Sequence, residues 1–242
     1  MTRKRTKAVS GGFRGRTVKA KGATRSAQRP IRVPVAREGF PFMLAALAPL
    51  VIVFWFDGPW WLKAALILAS VFVTAFFRDP ERVVPPGEDS LVSPADGKVI
   101  LVERIFDARF LNAEALKVSI FMNLFNVHVN RVPASGRVVR IVYNPGRFFS
   151  ANLDKASLEN EHNAVVAEGP GGKLFVFNQI AGLVARRIVC NLREGTRIRK
   201  GERFGLIRFG SRLDVYLPAN FSAAVKVGDR VRAGSTILGY WR

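Results

Sequence analysis

The chain has 242 residues, of which 49% are hydrophobic, and a formal net charge of +20 at pH 7. This length and apolar content suffice for one domain with a buried core and additional segments. A single cysteine, Cys190, excludes an internal disulfide framework and fits a reducing compartment. With only two histidines besides, the sequence offers no Cys/His cluster for zinc, and we expect no metal site.

The positive charge is concentrated near the N-terminus. Residues 1–37 contain twelve Lys or Arg and no acid, so the rest of the chain carries +8 of the total. Residues 1–38 show little hydrophobic periodicity and are predicted to be a disordered basic tail. Such a tail is suited to bind an anionic membrane surface or nucleic acid; the alternative is a solvated basic segment with no specific partner. Phe13 is its only aromatic residue, so it lacks the stacking platforms of single-strand binders, and we expect no nucleic-acid partner.

Two apolar runs, residues 40–56 and 59–77, are separated by a strong turn signal at Asp57-Gly58. They predict a membrane-associated helical hairpin over residues 39–78. Both runs are at the short limit for a span, which needs roughly 20 apolar residues. The hairpin could therefore span a membrane, lie in one leaflet or form a buried pair in a soluble core. The basic residues on both sides of it predict the cytoplasmic face of the inner membrane.

Alternation of apolar and polar residues is the main pattern after the apolar runs. It predicts a strand pair over residues 91–102, broken by an Asp96-Gly97 hairpin turn, and one strand over residues 116–132. Residues 151–161 are predicted to form a short helix or an ordered loop. Further strands are predicted at 137–143, 163–168, 173–179, 182–189, 204–209, 212–217 and 235–240. The expected fold is mainly β, barrel- or sandwich-like, after the N-terminal hydrophobic helical hairpin.

One internal repeat is visible. Residues 195–201 and 228–234 both read Gly-x-Arg-β-branched-Arg-x-Gly, and an apolar strand follows each copy. Two such units suggest a barrel or sandwich of related hairpins, similar to the hairpins of biotinyl and lipoyl carrier domains. The alternative function that this suggests is a membrane-tethered carrier, with Lys98 as the modified residue.

Polar residues that could carry chemistry occur early in this β-rich region. Asp96 could orient a histidine and stabilise its cation, as the acid of a hydrolase triad does. Strand alternation would place Asn126, His128 and Asn130 on one face of an otherwise apolar strand. Because buried polar side chains need partners, this pattern indicates the wall of a site.

Six segments carry a more specific signal, in a fixed order along the chain. They are residues 93–99, 121–131, 144–146, 153–157, 159–163 and 209–218. Together they resemble the short bacterial and archaeal form of the pyruvoyl-dependent phosphatidylserine decarboxylases, over roughly residues 40 to 242. Phe125 stands where many longer members have a second histidine. Residues 209–212 read Phe-Gly-Ser-Arg, whereas the longer forms commonly have Leu-Gly-Ser-Thr at the cleavage site. Arg212 after the serine is expected in the short group.

The resemblance implies a proenzyme whose catalytic β-rich domain, residues 79–242, cleaves itself between Gly210 and Ser211. The Ser211 hydroxyl would attack the Gly210 carbonyl, with His128 as the base and Asp96 orienting that histidine. The resulting ester would eliminate, and residue 211 would become a pyruvoyl group.

The resemblance also implies the activity, which is decarboxylation of phosphatidylserine to phosphatidylethanolamine in phospholipid biosynthesis. The pyruvoyl ketone would form a Schiff base with the lipid's serine amine and act as an electron sink. His128 is also a candidate acid in turnover. Fragments 1–210 and 211–242 would remain together as a heterodimer beside an anionic membrane surface. The candidates for holding the lipid phosphate are Arg131, Arg147 and Arg212.

Overall fold

The computed structural model describes residues 34–146, 160–182, 187–208 and 210–242. The helices are α1 (Phe40–Trp55) and α2 (Trp60–Phe76), preceded by a 3₁₀ turn at Arg37–Gly39. The strands are β1 (Ser90–Val92), β2 (Gly97–Asp107), β3 (Ala113–Met122), β4 (Val129–Arg131), β5 (Gly136–Asn144), β6 (His162–Glu168), β7 (Leu174–Ala181), β8 (Ile188–Cys190), β9 (Arg197–Ile198), β10 (Arg203–Ile207), β11 (Ser211–Pro218), β12 (Ser222–Ala223), β13 (Arg230–Val231) and β14 (Ile237–Tyr240). The predicted fold class, mainly β after an apolar helical pair, is confirmed.

The helices α1 and α2 are apolar around most of their circumference. Large side chains such as those of Leu44 and Leu68 are exposed rather than packed inside the protein. Ser70 Oγ lies 3.2 Å from the carbonyl oxygen of Ala46, and this contact links α2 with α1. By length and composition, the segment Arg37–Trp55 could cross a membrane, whereas α2 is a shorter apolar helix. An exposed apolar surface without a polar face suits contact with lipid.

The largest sheet is antiparallel and has the strand order β13-β2-β3-β11-β7-β6-β5-β9. Two smaller sheets, β1-β14-β12 and β4-β10-β8, complete the described part of the β region. One hydrophobic core takes side chains from all three sheets, including Val215, Leu91 and Ile207. The strand β11 lies in the middle of the eight-stranded sheet, with β3 on one side and β7 on the other.

The two copies of the sequence repeat form the two ends of the eight-stranded sheet. In the first copy β9 pairs with β5, and in the second β13 pairs with β2. The partner strands begin at Gly136 and Gly97, where an added Cβ would lie 2.1 and 2.2 Å from a backbone oxygen. Glycine is required at both positions because the neighbouring backbone approaches so closely. Each end of the sheet is thus built alike, as a short repeat strand followed by two long strands.

The predicted hairpin at residues 91–102 is wrong. The strand β1 pairs with β14, whereas β2 pairs with β3 and β13. Asp96-Gly97 therefore leads the chain from one sheet into another. Glycine is needed at position 97 for a reason other than a hairpin turn, because it allows close approach to the carbonyl oxygen of Phe121.

The single strand predicted at residues 116–132 is also wrong, because β3 ends at Met122 and β4 begins in a different sheet. Between them, the backbone N–H of Asn126 donates to the carbonyl oxygen of Asn123 at 3.1 Å. In return, the backbone N–H of Asn123 donates to Asn126 Oδ1 at 2.9 Å. Such local asparagine bonds compete with strand pairing and favour a turn.

Residues 1–33 lie outside the described residues, so the disordered tail stays a prediction there. The tail prediction also includes residues 34–38, which pair with the end of α2. The backbone N–H of Ala36 donates to the carbonyl oxygen of Phe77 at 2.8 Å. Most of the helix or loop predicted at residues 151–161 is likewise outside the described part of the chain.

Candidate active site

Ser211 is the first residue of the central strand β11 and is fully buried. Its backbone lies opposite Met122 of β3 and Ala181 of β7. The alternation that the sequence predicts for this strand places Ser211 on the same face as Leu213, towards the core. Pairing on both sides therefore holds Ser211 in place.

Gly210, the residue before it, is in a different environment. Its φ of +58° lies in the left-handed region, which glycine adopts without a steric penalty. Apart from its chain neighbours, a Cβ added there would meet no heavy atom of the described residues within 4 Å. The bond between residues 210 and 211 thus joins an open, left-handed glycine to a buried serine. Phe209 lies outside the described residues.

A row of buried polar groups lies beside the Ser211 hydroxyl. Ser211 Oγ is 3.9 Å from Met122 Sδ, and Asn130 Nδ2 is 3.7 Å from the same sulfur. Gln179 Nε2 donates to Asn130 Oδ1 at 2.9 Å. Because a thioether is a weak acceptor, the serine hydroxyl makes no strong hydrogen bond with a described group. Asn130 therefore shares Met122 as a contact with Ser211, and its role as part of a site wall stays a prediction.

His128 lies in the loop before β4 and is buried. Its Nδ1 lies 3.0 Å from the carbonyl oxygen of Asn126, which fixes the proton on Nδ1 when the ring is neutral. Its Nε2 is buried and has no hydrogen-bond partner among the described residues. Burial lowers the pKa of His128 to about 4, assisted by the positive charge of Arg78 and opposed by the bond to Asn126. At neutral pH the ring is therefore uncharged, with Nε2 available to accept a proton.

Aromatic rings connect His128 with the helical pair. The ring of Phe76, at the end of α2, lies 4.3 Å from the imidazole. Phe76 contacts Phe77 at 5.0 Å, and Phe77 stacks on Phe42 of α1 at 5.3 Å. The guanidinium of Arg208 lies over the ring of Phe42 at 4.9 Å. This aromatic row, Phe42, Phe77 and Phe76, joins His128 to the segment that precedes the Gly210-Ser211 bond.

Sequence reasoning missed the aromatic row. Its members lie near the ends of the two apolar runs and were counted there only for their hydrophobicity. The position of these aromatics, close to the boundary with the β-rich domain, was the available signal. Arg78 adds a further contact at this junction, because its Nη2 donates to the carbonyl oxygen of Phe125 at 2.6 Å.

Asp96 has partners other than His128 in the described part of the chain. Its carboxylate forms a 2.7 Å ion pair with Arg82 and accepts a 2.7 Å hydrogen bond from the backbone N–H of Ala233. The other end of the sheet has an equivalent contact, in which Ser135 Oγ accepts from the backbone N–H of Lys200 at 3.2 Å. Asp96 thus caps the second repeat as Ser135 caps the first, and the carbonyl of Asn126 holds His128 Nδ1.

Two of the arginines suggested for the lipid phosphate are directed into the protein. Arg131 donates to the carbonyl oxygens of Gly201 and Pro80, both at 3.0 Å. Arg212, on the outer face of β11, donates from Nε to Asp214 Oδ1 at 2.6 Å. Both guanidinium groups are therefore engaged in holding the fold. Arg147 lies outside the described residues.

Ion pairs also hold the link between α2 and the β region. Asp79 pairs with Arg131 and Arg203, and Arg203 pairs in addition with Glu81. In the described residues, no cluster of three or more His, Cys, Asp or Glu side chains could hold a metal ion.

Comparison with known proteins gives the family. A family model for phosphatidylserine decarboxylase matches residues 69–239. The chain is 52% identical over 206 residues to a phosphatidylserine decarboxylase proenzyme of Syntrophus aciditrophicus, covering 85% of this chain and 96% of the relative. It is 51% identical over 208 residues to the proenzyme of Desulfotalea psychrophila, covering 86% and 97%. This chain belongs to the phosphatidylserine decarboxylase family.

The family match has a consequence for the site. It begins within α2 and therefore includes Phe76 and Phe77 as well as the β region. The end of α2 is thus matched together with the strands that position Ser211. A phosphatidylserine decarboxylase proenzyme of Cupriavidus taiwanensis, 48% identical over 205 residues, covers a similar share of the chain, 84%.

Proposed function

We propose that the chain cleaves itself between Gly210 and Ser211 and then decarboxylates phosphatidylserine to phosphatidylethanolamine, as a step of phospholipid biosynthesis. One observation carries this proposal. In a member of the phosphatidylserine decarboxylase family, a fully buried serine directly follows a glycine in the left-handed conformation. Self-cleavage needs a positioned nucleophile and a conformationally permissive residue before it, and these two features support both requirements.

The cleavage begins when Ser211 Oγ attacks the carbonyl carbon of Gly210 and gives its proton to a base. The bond between that carbon and the Ser211 nitrogen breaks, the nitrogen takes up a proton, and an ester replaces the amide. Removal of the Ser211 α-proton then expels the Gly210 carboxylate and leaves a dehydroalanine. Water converts the dehydroalanine into a pyruvoyl group and releases ammonia. The products are fragments 1–210 and 211–242.

His128 is the base that we propose for these proton transfers. Its Nε2 is unprotonated at neutral pH because Nδ1 holds the proton against Asn126. No described hydrogen bond joins His128 to Ser211, so the proposal requires that the two side chains come into contact during cleavage, as is common for catalytic groups that align only in the reacting state. The resemblance assigns the orientation of His128 to Asp96. The bonds of Asp96 to Arg82 and to the backbone N–H of Ala233 support a second role for Asp96, which is to hold the turn before β2 in place.

The environment of residue 211 fits a pyruvoyl group. The backbone pairing of β11 with β3 and β7 holds a new chain end at the position that Ser211 occupies. Such a group supplies a ketone that captures the lipid's amine and draws electrons from the carboxylate-bearing carbon. The small fragment contains β11 and the large fragment contains β3 and β7. This arrangement supports a heterodimer whose halves share one sheet.

The helical pair supports a location at the cytoplasmic face of the inner membrane. The substrate is a lipid, and the apolar surface of α1 and α2 adjoins the candidate site through the aromatic row. An enzyme held at the membrane meets its substrate within the bilayer surface. The basic residues of the N-terminal segment would add attraction to anionic lipids, on the order of 1 kcal/mol for each charge near the surface.

The test is the length of the purified chains. We expect two chains on a denaturing gel, and mass spectrometry of the smaller one should show residues 211–242 with an α-keto N-terminus. Ser211→Ala should stay in one piece, whereas the control Ser222→Ala, which removes a hydroxyl from β12, should be cleaved. A single intact wild-type chain would refute the proposal, and a mass increment on Lys98 would favour the carrier alternative.

A further inference from the structure

Arg208 differs from the other arginines near the candidate site. Arg82 and Arg131 are held by ion pairs to acids, and Arg78 donates to backbone carbonyls. Arg208 forms no ion pair with a described acid, and its Nε is buried without a hydrogen-bond partner among the described residues. A buried donor on a charged group is costly to leave unpaired, so the guanidinium of Arg208 has hydrogen-bonding capacity that no described acid uses.

The contacts of Arg208 fix its orientation. Its guanidinium lies over the ring of Phe42, 4.9 Å from the ring centre, and its backbone N–H donates to the carbonyl oxygen of Arg187. A guanidinium stacked on an aromatic face keeps the N–H groups at its edge free to bind oxygen atoms. Two such N–H groups match two oxygens of a phosphate in a bidentate arrangement.

The position of Arg208 matches the order of groups in a phospholipid. Exposed apolar side chains of α1, such as Leu44, lie on one side of Phe42 along the helix. In the chain, the Gly210-Ser211 bond follows Arg208 after one intervening residue. In phosphatidylserine the phosphate likewise lies between the acyl chains and the serine amine, with four covalent bonds from phosphorus to the amine nitrogen. Arg208 thus contacts the apolar helix α1 through Phe42 and is three positions from residue 211 in the chain, so it connects the apolar surface with the reacting residue as the phosphate connects the lipid's chains with its amine.

We infer that Arg208 binds the phosphodiester of the lipid substrate and so sets the position of its serine headgroup relative to residue 211. This inference rests on the proposed function, because it assumes that residue 211 becomes the amine-capturing group. It corrects the suggestion that Arg131 or Arg212 holds the phosphate. Those two side chains stabilise the protein instead, and Arg208 contacts the substrate.

The experiment compares soluble headgroups with and without the phosphodiester. Arg208→Gln should raise the KM for glycerophosphoserine by about 10- to 100-fold, the range for one lost charge-assisted contact. The KM of Arg208→Lys should lie between those of the wild type and Arg208→Gln, because lysine keeps the positive charge but not the paired N–H groups of the guanidinium. A second readout needs no turnover: the affinity for glycerophosphoethanolamine, followed by ³¹P NMR, should weaken by the same factor. Affinity for ethanolamine, which has no phosphate, should not change. Arg230→Gln, at an exposed position on β13, is the matched control.

A second arm separates the substrate's phosphate from the anionic membrane surface. Binding to phosphatidylglycerol vesicles is measured by flotation for the wild type and for Arg208→Gln. If the substitution weakens vesicle binding but leaves both glycerophospho ligands unaffected, Arg208 is only a membrane contact and the inference is refuted. Complete failure of both Arg208 variants to cleave would assign the residue to processing and would also refute it. A failure of the proposed function itself is seen separately, as an uncleaved wild-type chain.

Discussion

The ring of Phe76 covers His128, and we predict that Phe76→Ala shifts the acid limit of self-cleavage to higher pH. In the wild type, burial lowers the pKa of His128 to about 4. Removing the ring admits water to the imidazole, so its pKa should rise towards the ordinary value of about 6.5. Only the neutral ring can accept the serine proton, and a higher pKa therefore means less active base in mild acid.

The size of the effect follows from the fraction of neutral imidazole. At pH 5 a group with a pKa of about 4 is roughly nine-tenths neutral. A group with a pKa of about 6 would be roughly one-tenth neutral. Cleavage of Phe76→Ala at pH 5 should therefore be about tenfold slower than that of the wild type. At pH 8 both rings are neutral, and the difference attributable to titration should vanish.

The assay uses freshly synthesised chains from a cell-free system, moved rapidly to buffers between pH 4 and pH 8. The rate of appearance of the small fragment is measured at each pH. Phe76→Leu keeps an apolar cover and should stay close to the wild-type profile. His162→Gln is a matched control, because His162 is also buried and has its Nδ1 2.9 Å from the carbonyl oxygen of an asparagine, Asn160. An unchanged acid limb in a folded Phe76→Ala protein would contradict the assignment of His128 as the base.

The same titration predicts how stability depends on pH, and the uncleaved Ser211→Ala protein is suitable for this measurement. Because the folded-state pKa of His128 is depressed, the unfolded chain binds more protons between about pH 6.5 and pH 4. The free energy of unfolding should fall by about 3 kcal/mol as the pH decreases through that window. Adding Phe76→Ala should flatten this fall, as followed by urea denaturation. An equal fall in both proteins would show that other groups dominate.

Three further substitutions test how the site is held. Arg212→Met leaves Asp214 buried without its closest cation, so we expect the free energy of unfolding, measured by urea denaturation, to fall by about 3–5 kcal/mol. Gel filtration should show the two fragments dissociating at a lower urea concentration than in the wild type. The added methyl group of Gly210→Ala meets no non-neighbouring atom of the described residues, but the alanine must adopt a left-handed φ, at a cost of about 1–2 kcal/mol. It should therefore fold and cleave more slowly, and wild-type kinetics would contradict the role of that conformation. Asp79→Asn removes the shared partner of two arginines, and we expect the link after α2 to become more sensitive to limited proteolysis. Unchanged proteolysis would mean that the aromatic row holds the helices by itself.

The alternation around Ser211 predicted two half-buried strands that meet at Gly210-Ser211, and the apolar runs at residues 40–56 and 59–77 predicted two helices. The structure has these elements, but β11 is buried on both faces because neighbouring segments cover its polar face as well. Those features depend on local periodicity, which a sequence displays directly. The repeat at residues 195–201 and 228–234 was visible for the same reason, because its glycines are needed for left-handed turns. The sequence could not show that the two copies cap opposite ends of one sheet, since that depends on pairing between distant strands.

The tertiary structure decided how the site is assembled. Asn126 holds His128 because a turn interrupts the alternating pattern, and side-chain competition for backbone groups determines such turns. Phe76 covers the same histidine although 52 positions separate them in the chain. Composition and spacing thus determined which groups exist and where apolar helices and alternating strands occur, but not the turn that divides residues 116–132 between two sheets. Which groups meet depended on long-range packing, because burial, ion pairing and ring contacts arise between residues that have no fixed separation in sequence.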